Sequence, residues 1–233
     1  AVEIFKDLAR RRFDGLILAS SFILDSKEAQ ATLEQVRKRG LPIVEMSENY
    51  GVDSISADYR DATKEVMTYL LSLGHRRIGF INGVGGHELG QDRLEPYKAS
   101  LKNTNIAMDN ELIADCGPAI EDGYQATSRL LGLHARPTAI LAINDLLAIG
   151  ALRAAADLGL QVPKDVSLVG FDDISIGNYL VPRLTTVTKY TRELGKKAFE
   201  VLLTRMQNPD LPRQHNHGSA KLIIRESTGP APS

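Results

Sequence analysis

The chain has 233 residues, 43% hydrophobic and 24% charged, with no tryptophan; that is room for one large α/β domain or two small ones, and it excludes a disordered or fibrous chain. Lys and Arg number 28 against 29 Asp and Glu, a net charge of −1, so the chain lacks the footprint of a protein that grips polyanions with its whole surface. The single cysteine, Cys116, cannot close an internal disulfide, and no apolar run is long enough to span a bilayer; a cytoplasmic protein with no membrane partner is expected. No charged-then-apolar leader stands at Ala1, so no signal peptide is expected in these residues.

In chain order, residues 2–11 carry Ile4, Phe5 and Leu8 on one face and predict an amphipathic helix, where a doubly wound domain ordinarily begins with a strand. Strands are predicted over 15–19, 42–46, 77–81, 138–143, 166–171, 185–188 and 222–225, mostly apolar runs of the kind buried in parallel sheets. Helical patterns lie between them. Val66, Met67, Leu70 and Leu71 form one stripe that ends at Gly74, a predicted C-terminal cap. Residues 146–158 are apolar nearly all round except for Arg153 and Asp157, which predicts a helix that is deeply buried or part of an interface. Residues 208–218 read as a polar loop with two prolines, and residues 229–233 as a frayed tail. The alternation of strands and helices predicts parallel sheets covered on both faces.

Catalytic signatures are missed by one residue or more. The glycines Gly83, Gly85, Gly86 and Gly90 follow a strand, but Glu88 stands where a G-x-G-x-x-G fingerprint needs its third glycine. His87-Glu88 starts like H-E-x-x-H, yet Gln91 replaces the second histidine, so this stretch cannot present two imidazoles to a zinc ion. His215-Asn216-His217 has no third ligand nearby and reads as a solvated loop; Arg10-Arg11-Arg12 reads as cations at a helix C-terminus. P-loop and G-x-S-x-G motifs are absent. No cofactor, metal or catalytic residue is expected.

Ligands of open α/β sheets sit beyond the carboxyl ends of the strands. There the strand at 166–171 runs into Asp172-Asp173 and the strand at 138–143 into Asn144-Asp145, while Arg93 follows the glycine-rich loop. An ionised Asp172 accepts hydrogen bonds, Asn144 both donates and accepts, and the planar fork of Arg93 suits paired hydroxyls or an anion. A carboxylate, an amide and a guanidinium make a binding set, and without a nucleophile paired to a base they do not make a catalytic one. From position alone the bland alternative is favoured: Asn144 and Asp173 capping helices, and Arg93 paired with a surface carboxylate.

The wording of several segments goes beyond fold. Gly74-His75-Arg76-Arg77-Ile78-Gly79-Phe80, Arg136-Pro137-Thr138-Ala139-Ile140, Asn144-Asp145-Leu146-Leu147-Ala148-Ile149-Gly150-Ala151-Leu152, Val162-Pro163-Lys164-Asp165-Val166-Ser167-Leu168-Val169-Gly170-Phe171-Asp172-Asp173 and Leu184-Thr185-Thr186-Val187 occur in order, and Leu222-Ile223-Ile224-Arg225-Glu226-Ser227-Thr228 closes the chain. Together they resemble the effector-binding core of the LacI/GalR family of bacterial transcription regulators, over nearly the whole chain. The resemblance implies a periplasmic-binding-protein-like fold of two doubly wound parallel-sheet lobes with the effector in the interlobe cleft. It implies an N-terminal lobe from residues 1–81 plus 189–217, lacking its first βαβ elements, and a C-terminal lobe from 82–188 plus 218–233. Strand 15–19 would then be an unprotected edge, prone to pairing with another chain.

Residue by residue, Arg93, Asn144 and Asp172 fall on positions that hold the effector in this family, and His87, Lys189 and Asp58 on or near further polar contacts; Pro118 stands where some members carry a stacking aromatic. The implied function is allosteric. A small polar metabolite, a sugar or sugar derivative, would control operator DNA binding through an N-terminal headpiece that these residues do not include, in a homodimer and most simply as a repressor. A sugar-binding protein of an ABC transporter is the alternative, since it shares the fold and the Arg, Asn and Asp positions. An α/β enzyme is the third class, disfavoured by the missing catalytic motifs.

Overall fold

The structure is a computed structural model that describes residues 13–19, 27–46, 51–84 and 88–232. The helix expected over residues 2–11 and the basic run beside it lie outside them. The elements run β1 (Leu16–Leu18), α1 (Lys27–Lys38), β2 (Ile43–Glu45), β3 (Asp53–Ala57), α2 (Tyr59–Ser72) and β4 (Ile78–Asn82). There follow α3 (Glu88–Asn103), β5 (Ile113–Asp115), α4 (Ile120–Leu131), β6 (Ala139–Ala142) and α5 (Asp145–Asp157). The chain closes with β7 (Ser167–Val169), β8 (Thr186–Thr188), α6 (Thr191–Gln207), β9 (His215–Gly218) and β10 (Lys221–Ile223).

The chain folds as two units, Ala1–Ala57 with Tyr190–Ser219, and Asp58–Lys189 with Ala220–Ser233. The first boundary therefore falls after Ala57 and not near Ile81. The reason is packing: α2 lies against α3 and β10, and β4 is an inner strand of the second unit's sheet.

In the first unit a parallel sheet has the order β1-β2-β3-β9. Alternate side chains point to opposite faces of a strand, and the apolar residues divide accordingly. Leu18, Ile43 and Val52 pack with Leu33 and Val36 of α1, whereas Val44 and Ile55 pack with Leu194, Ala198, Val201 and Leu202 of α6. β1 ends the sheet among the described residues, with Leu18 buried and Leu16 and Ile17 half-buried. Strand β9 corrects the loop expected at 208–218. Its polar side chains hydrogen-bond across to β3, Ser54 Oγ with His215 Nδ1 at 2.8 Å and Ser56 Oγ with His217 Nδ1 at 3.0 Å. Both imidazoles are thus used in a cross-strand ladder.

In the second unit the parallel sheet has the order β5-β4-β6-β7, and β8 pairs antiparallel with β10. One continuous apolar cluster fills it, from Val66, Met67 and Leu70 of α2 through Phe80, Ile140 and Leu168 of the sheet to Ala151 and Ala155 of α5. Helix α5 buries Leu147, Ala148, Gly150, Ala151, Ala154 and Ala155 and leaves Leu146 exposed. It approaches α4 along glycines: a Cβ on Gly150 would strike the Ile120 carbonyl, and one on Gly123 the Leu147 carbonyl. The tail is tied down and not frayed, because Gly229 N–H donates to Ser167 Oγ at 3.0 Å and Ala231 N–H to the Leu73 carbonyl at 2.9 Å. His75, fully buried, hydrogen-bonds Thr138, Ser167 and the Gly229 carbonyl; burial pulls its pKa down and the bond to Gly229 only partly offsets this.

Candidate functional site

Four parallel strands of the second unit release their chain at the same edge of the sheet, and polar residues gather there. Arg93 sits on α3 and is buried, 6% exposed. Its guanidinium lies 3.8 Å from the ring centroid of Tyr59 and 5.1 Å from that of Phe171, and the two rings meet edge-on with centroids 6.2 Å apart. Stacking uses the faces of a guanidinium, while its N–H edge carries the hydrogen-bonding capacity that suits a polar ligand.

Immediately after Phe171 the backbone takes two left-handed residues in succession, Asp172 at φ 112° and Asp173 at φ 53°. Such conformations cost a non-glycine residue about 1–3 kcal/mol and persist where surrounding bonds impose them. Here Asp172 N–H donates to the Val187 carbonyl at 2.9 Å, and each carboxylate has its own cation: Lys189 Nζ to Asp172 at 2.8 Å and Arg225 Nη2 to Asp173 at 2.6 Å. Asp173 is thus an ion-pair partner and not a helix cap. Burial pulls the Lys189 pKa down, but Tyr59 and Asp172 beside it outweigh burial and raise it overall, so the ammonium stays charged.

Asn144 does cap α5. Its Oδ1 accepts from Leu147 N–H at 2.8 Å, while its Nδ2 donates to the Pro118 carbonyl at 3.3 Å. Asp58 caps α2 by accepting from Asp61 N–H at 2.9 Å, which sets Tyr59 at the start of that helix. His87 lies outside the described residues. The structure therefore joins Arg93, Asp172 and Lys189 through Tyr59 and Phe171, places Asn144 and Asp58 as caps at the ends of elements, and adds Tyr59, which the sequence reading did not name, and a role for Asp145, which it named only at a strand end. Among the described residues no three His, Cys, Asp or Glu side chains could hold a metal. The donors and acceptors present can hold a polyhydroxylated or anionic molecule; nothing among them pairs a nucleophile with a base.

A cavity of about 550 Å³ also opens in the first unit, lined among others by Asp14, Arg37, Ile43, Asp53, Arg205 and Arg213. It lies where β2 and β3 begin, the wrong end of a parallel sheet for ligand binding.

Residues 67–228 match the family described as periplasmic binding protein-like domain. A LacI family transcriptional regulator from Enterococcus faecium, solved with bound ribose, superposes with a TM-score of 0.87 at 31% identity, covering 98% of this chain and 84% of that one. This chain belongs to the LacI family. Two curated LacI-type relatives are similar: the protein named Probable HTH-type transcriptional repressor ExuR of Bacillus subtilis (strain 168), 30% identical over 93% of this chain, and the HTH-type transcriptional repressor PurR of Klebsiella pneumoniae subsp. pneumoniae, 31% identical over 97%. The chain spans about two thirds of their length, 65% and 66%. These LacI-family relatives are repressors and not enzymes, and no helix among the described residues is long and apolar enough to cross a membrane.

Proposed function

We propose that this LacI-family domain binds a small polar metabolite, a sugar or sugar derivative, at the carboxyl-end edge of the second unit's sheet, and that the ligand controls operator DNA binding by a helix-turn-helix headpiece of a longer, dimeric protein. The observation that carries the reading is the buried Arg93, held over Tyr59 and Phe171, beside the strained and ion-paired Asp172. Asp172 offers acceptors to hydroxyl donors, Arg93 and Lys189 offer donors, and the amide of Asn144 and the carboxylate of Asp58 extend the set. The ribose in the Enterococcus faecium regulator supports the ligand class. The ExuR and PurR relatives, both named as repressors, favour this reading over the transporter alternative.

Calorimetric titration of the chain with a panel of sugars, sugar phosphates and purines tests the reading. One class should bind, and Asp172→Asn or Arg93→Gln should weaken it by about 10- to 100-fold, the effect of losing a hydrogen bond to a charged group. Folded protein that binds no member of the panel would refute the assignment.

A further inference from the structure

Beside the candidate site lies a carboxyl that no ligand role uses. Asp145, at the first position of α5, is 1% exposed. It accepts hydrogen bonds from Thr186 Oγ1 at 2.6 Å and from Ile174 N–H at 2.8 Å. Those donors belong to β8 and to the exit of the Asp172-Asp173 turn, so this one side chain ties the turn's exit to the strand whose Val187 carbonyl accepts from Asp172 N–H. Neither donor carries a charge.

The charged groups around it are engaged elsewhere. From the turn come the carboxylates of Asp172 and Asp173; from the end of β8 comes Lys189, in contact with Asp172; from beyond β10 comes Arg225, in contact with Asp173; and Arg93 of α3 is stacked on Tyr59. Among the described residues no cation contacts Asp145. We propose that Asp145 is a positioning residue whose proton sets ligand affinity: neutral, it holds the turn in its binding form, and on ionisation repulsion from the Asp172 and Asp173 carboxylates outweighs the strengthened bonds from Thr186 and Ile174, loosens the turn and weakens binding. The proposal rests on reading Asp172 as a ligand contact.

The buried setting favours the neutral form. Ionisation would place a third carboxylate next to two others in a buried setting, at the point where the backbone is already strained at Asp172 and Asp173. Burial raises the carboxyl's pKa, the bonds from Thr186 and Ile174 pull it back, and Asp172 and Asp173 add to the rise, leaving it at about 7. The transition thus falls in a range where a cell's pH can move it.

The experiment follows the amide resonances of Ile174 and Asp172 of this chain by NMR from pH 5 to 8.5, with D-ribose as the binding probe in a separate arm. A single titration near neutrality at both amides, lost in Asp145→Asn, is expected. Ribose affinity should fall about 3- to 10-fold between pH 6 and 8, within the tenfold per pH unit that one proton allows, and Asp145→Asn should hold its pH 6 affinity at both. Flat amide resonances overturn the proposal, and so does a titration that leaves ribose affinity unchanged. If ribose does not bind at either pH, the ligand class fails, while the Ile174 titration still decides whether Asp145 moves the turn. Should Asp145→Asn not fold, Thr186→Val removes one of the bonds that favour ionisation; the Ile174 midpoint must then move to higher pH, and a midpoint that stays in place counts against the proposal.

Discussion

Asp53 in the first unit and Asp145 in the second are both buried carboxylates beside a sheet, and the two are treated in opposite ways. Asp53 in the first unit, 3% exposed, meets a full guanidinium fork, Arg205 Nε at 2.7 Å and Nη2 at 2.8 Å, with Gln214 N–H as a third donor at 2.8 Å. Burial works against the charge, but these hydrogen bonds outweigh it and hold the carboxyl below its ordinary value. Asp145 in the second unit accepts only from neutral donors, with the cations near it engaged by other groups, and burial pushes it up to about 7. The first arrangement locks a structure at every physiological pH. The second leaves a group that responds to pH, and it lies next to the residues proposed to bind ligand.

The largest effect is expected from removing the lock. Arg205 also donates to the carbonyls of Pro209, Leu211 and Pro212, so it organises the loop leading into β9 as well as neutralising Asp53. Arg205→Ala strands a buried carboxylate and should cost the first unit about 3–5 kcal/mol. Hydrogen exchange at β3 amides, compared with β6 amides of the second unit, checks it. Equal loss in both units would show that they unfold as one and would remove the contrast.

The second unit should be most sensitive to volume. Its apolar groups form one cluster, whereas those of the first unit are split between the two faces of its sheet. Gly150→Val forces a side chain against the backbone of Ile120 and Tyr124, and over-packing of this kind costs about 1–3 kcal/mol, occasionally more. A urea midpoint within error of the parent would mean that α4 and α5 separate easily.

The same contrast explains what was legible in the sequence. All seven strands expected from apolar runs exist, with ends moved by up to two residues, because a buried strand is marked by its own apolar composition whether it pairs parallel or, as β8 and β10 do, antiparallel; the short β5 was not expected. β3 and β9, written Asp-Ser-Ile-Ser-Ala and His-Asn-His-Gly, were not legible. Their partner is a ladder of side-chain hydrogen bonds 161 residues apart in the chain, which no local window records. Arg93, Asp172 and Lys189 were legible through family wording. Tyr59 and Asp145 were not, since a guanidinium over a ring or a carboxyl between two segments exists only once the tertiary structure has formed.

Opposite pH slopes give a finer test. A carboxyl with a lowered folded pKa contributes stability above its unfolded value, near 3.9, and loses it as pH falls through the folded one; for Asp53 that loss comes below about pH 4. A raised carboxyl does the reverse: Asp145 favours the fold below about pH 4 and this contribution fades as pH rises to about 7. His75, lowered by burial, adds stability above its unfolded value near 6.5 and loses it as pH falls, partly masking Asp145. Protection of β7 amides should therefore decline from pH 5 to 7 more clearly in His75→Asn than in the parent, while β3 protection stays flat. A matching decline in β3 would contradict the assignment to two separate carboxylates.

The smallest effect lies in the first unit. Gly195 sits inside α6, and a Cβ built there meets no atom within 4 Å, unlike Gly150 on α5. Gly195→Ala restricts the unfolded chain and adds no clash, so it should stabilise by about 0.5–1 kcal/mol. If the units open independently, the gain appears in the exchange of β3 amides and not in β6. If it appears in both, α6 supports the second unit too, and opening of the first unit must limit opening of the whole chain.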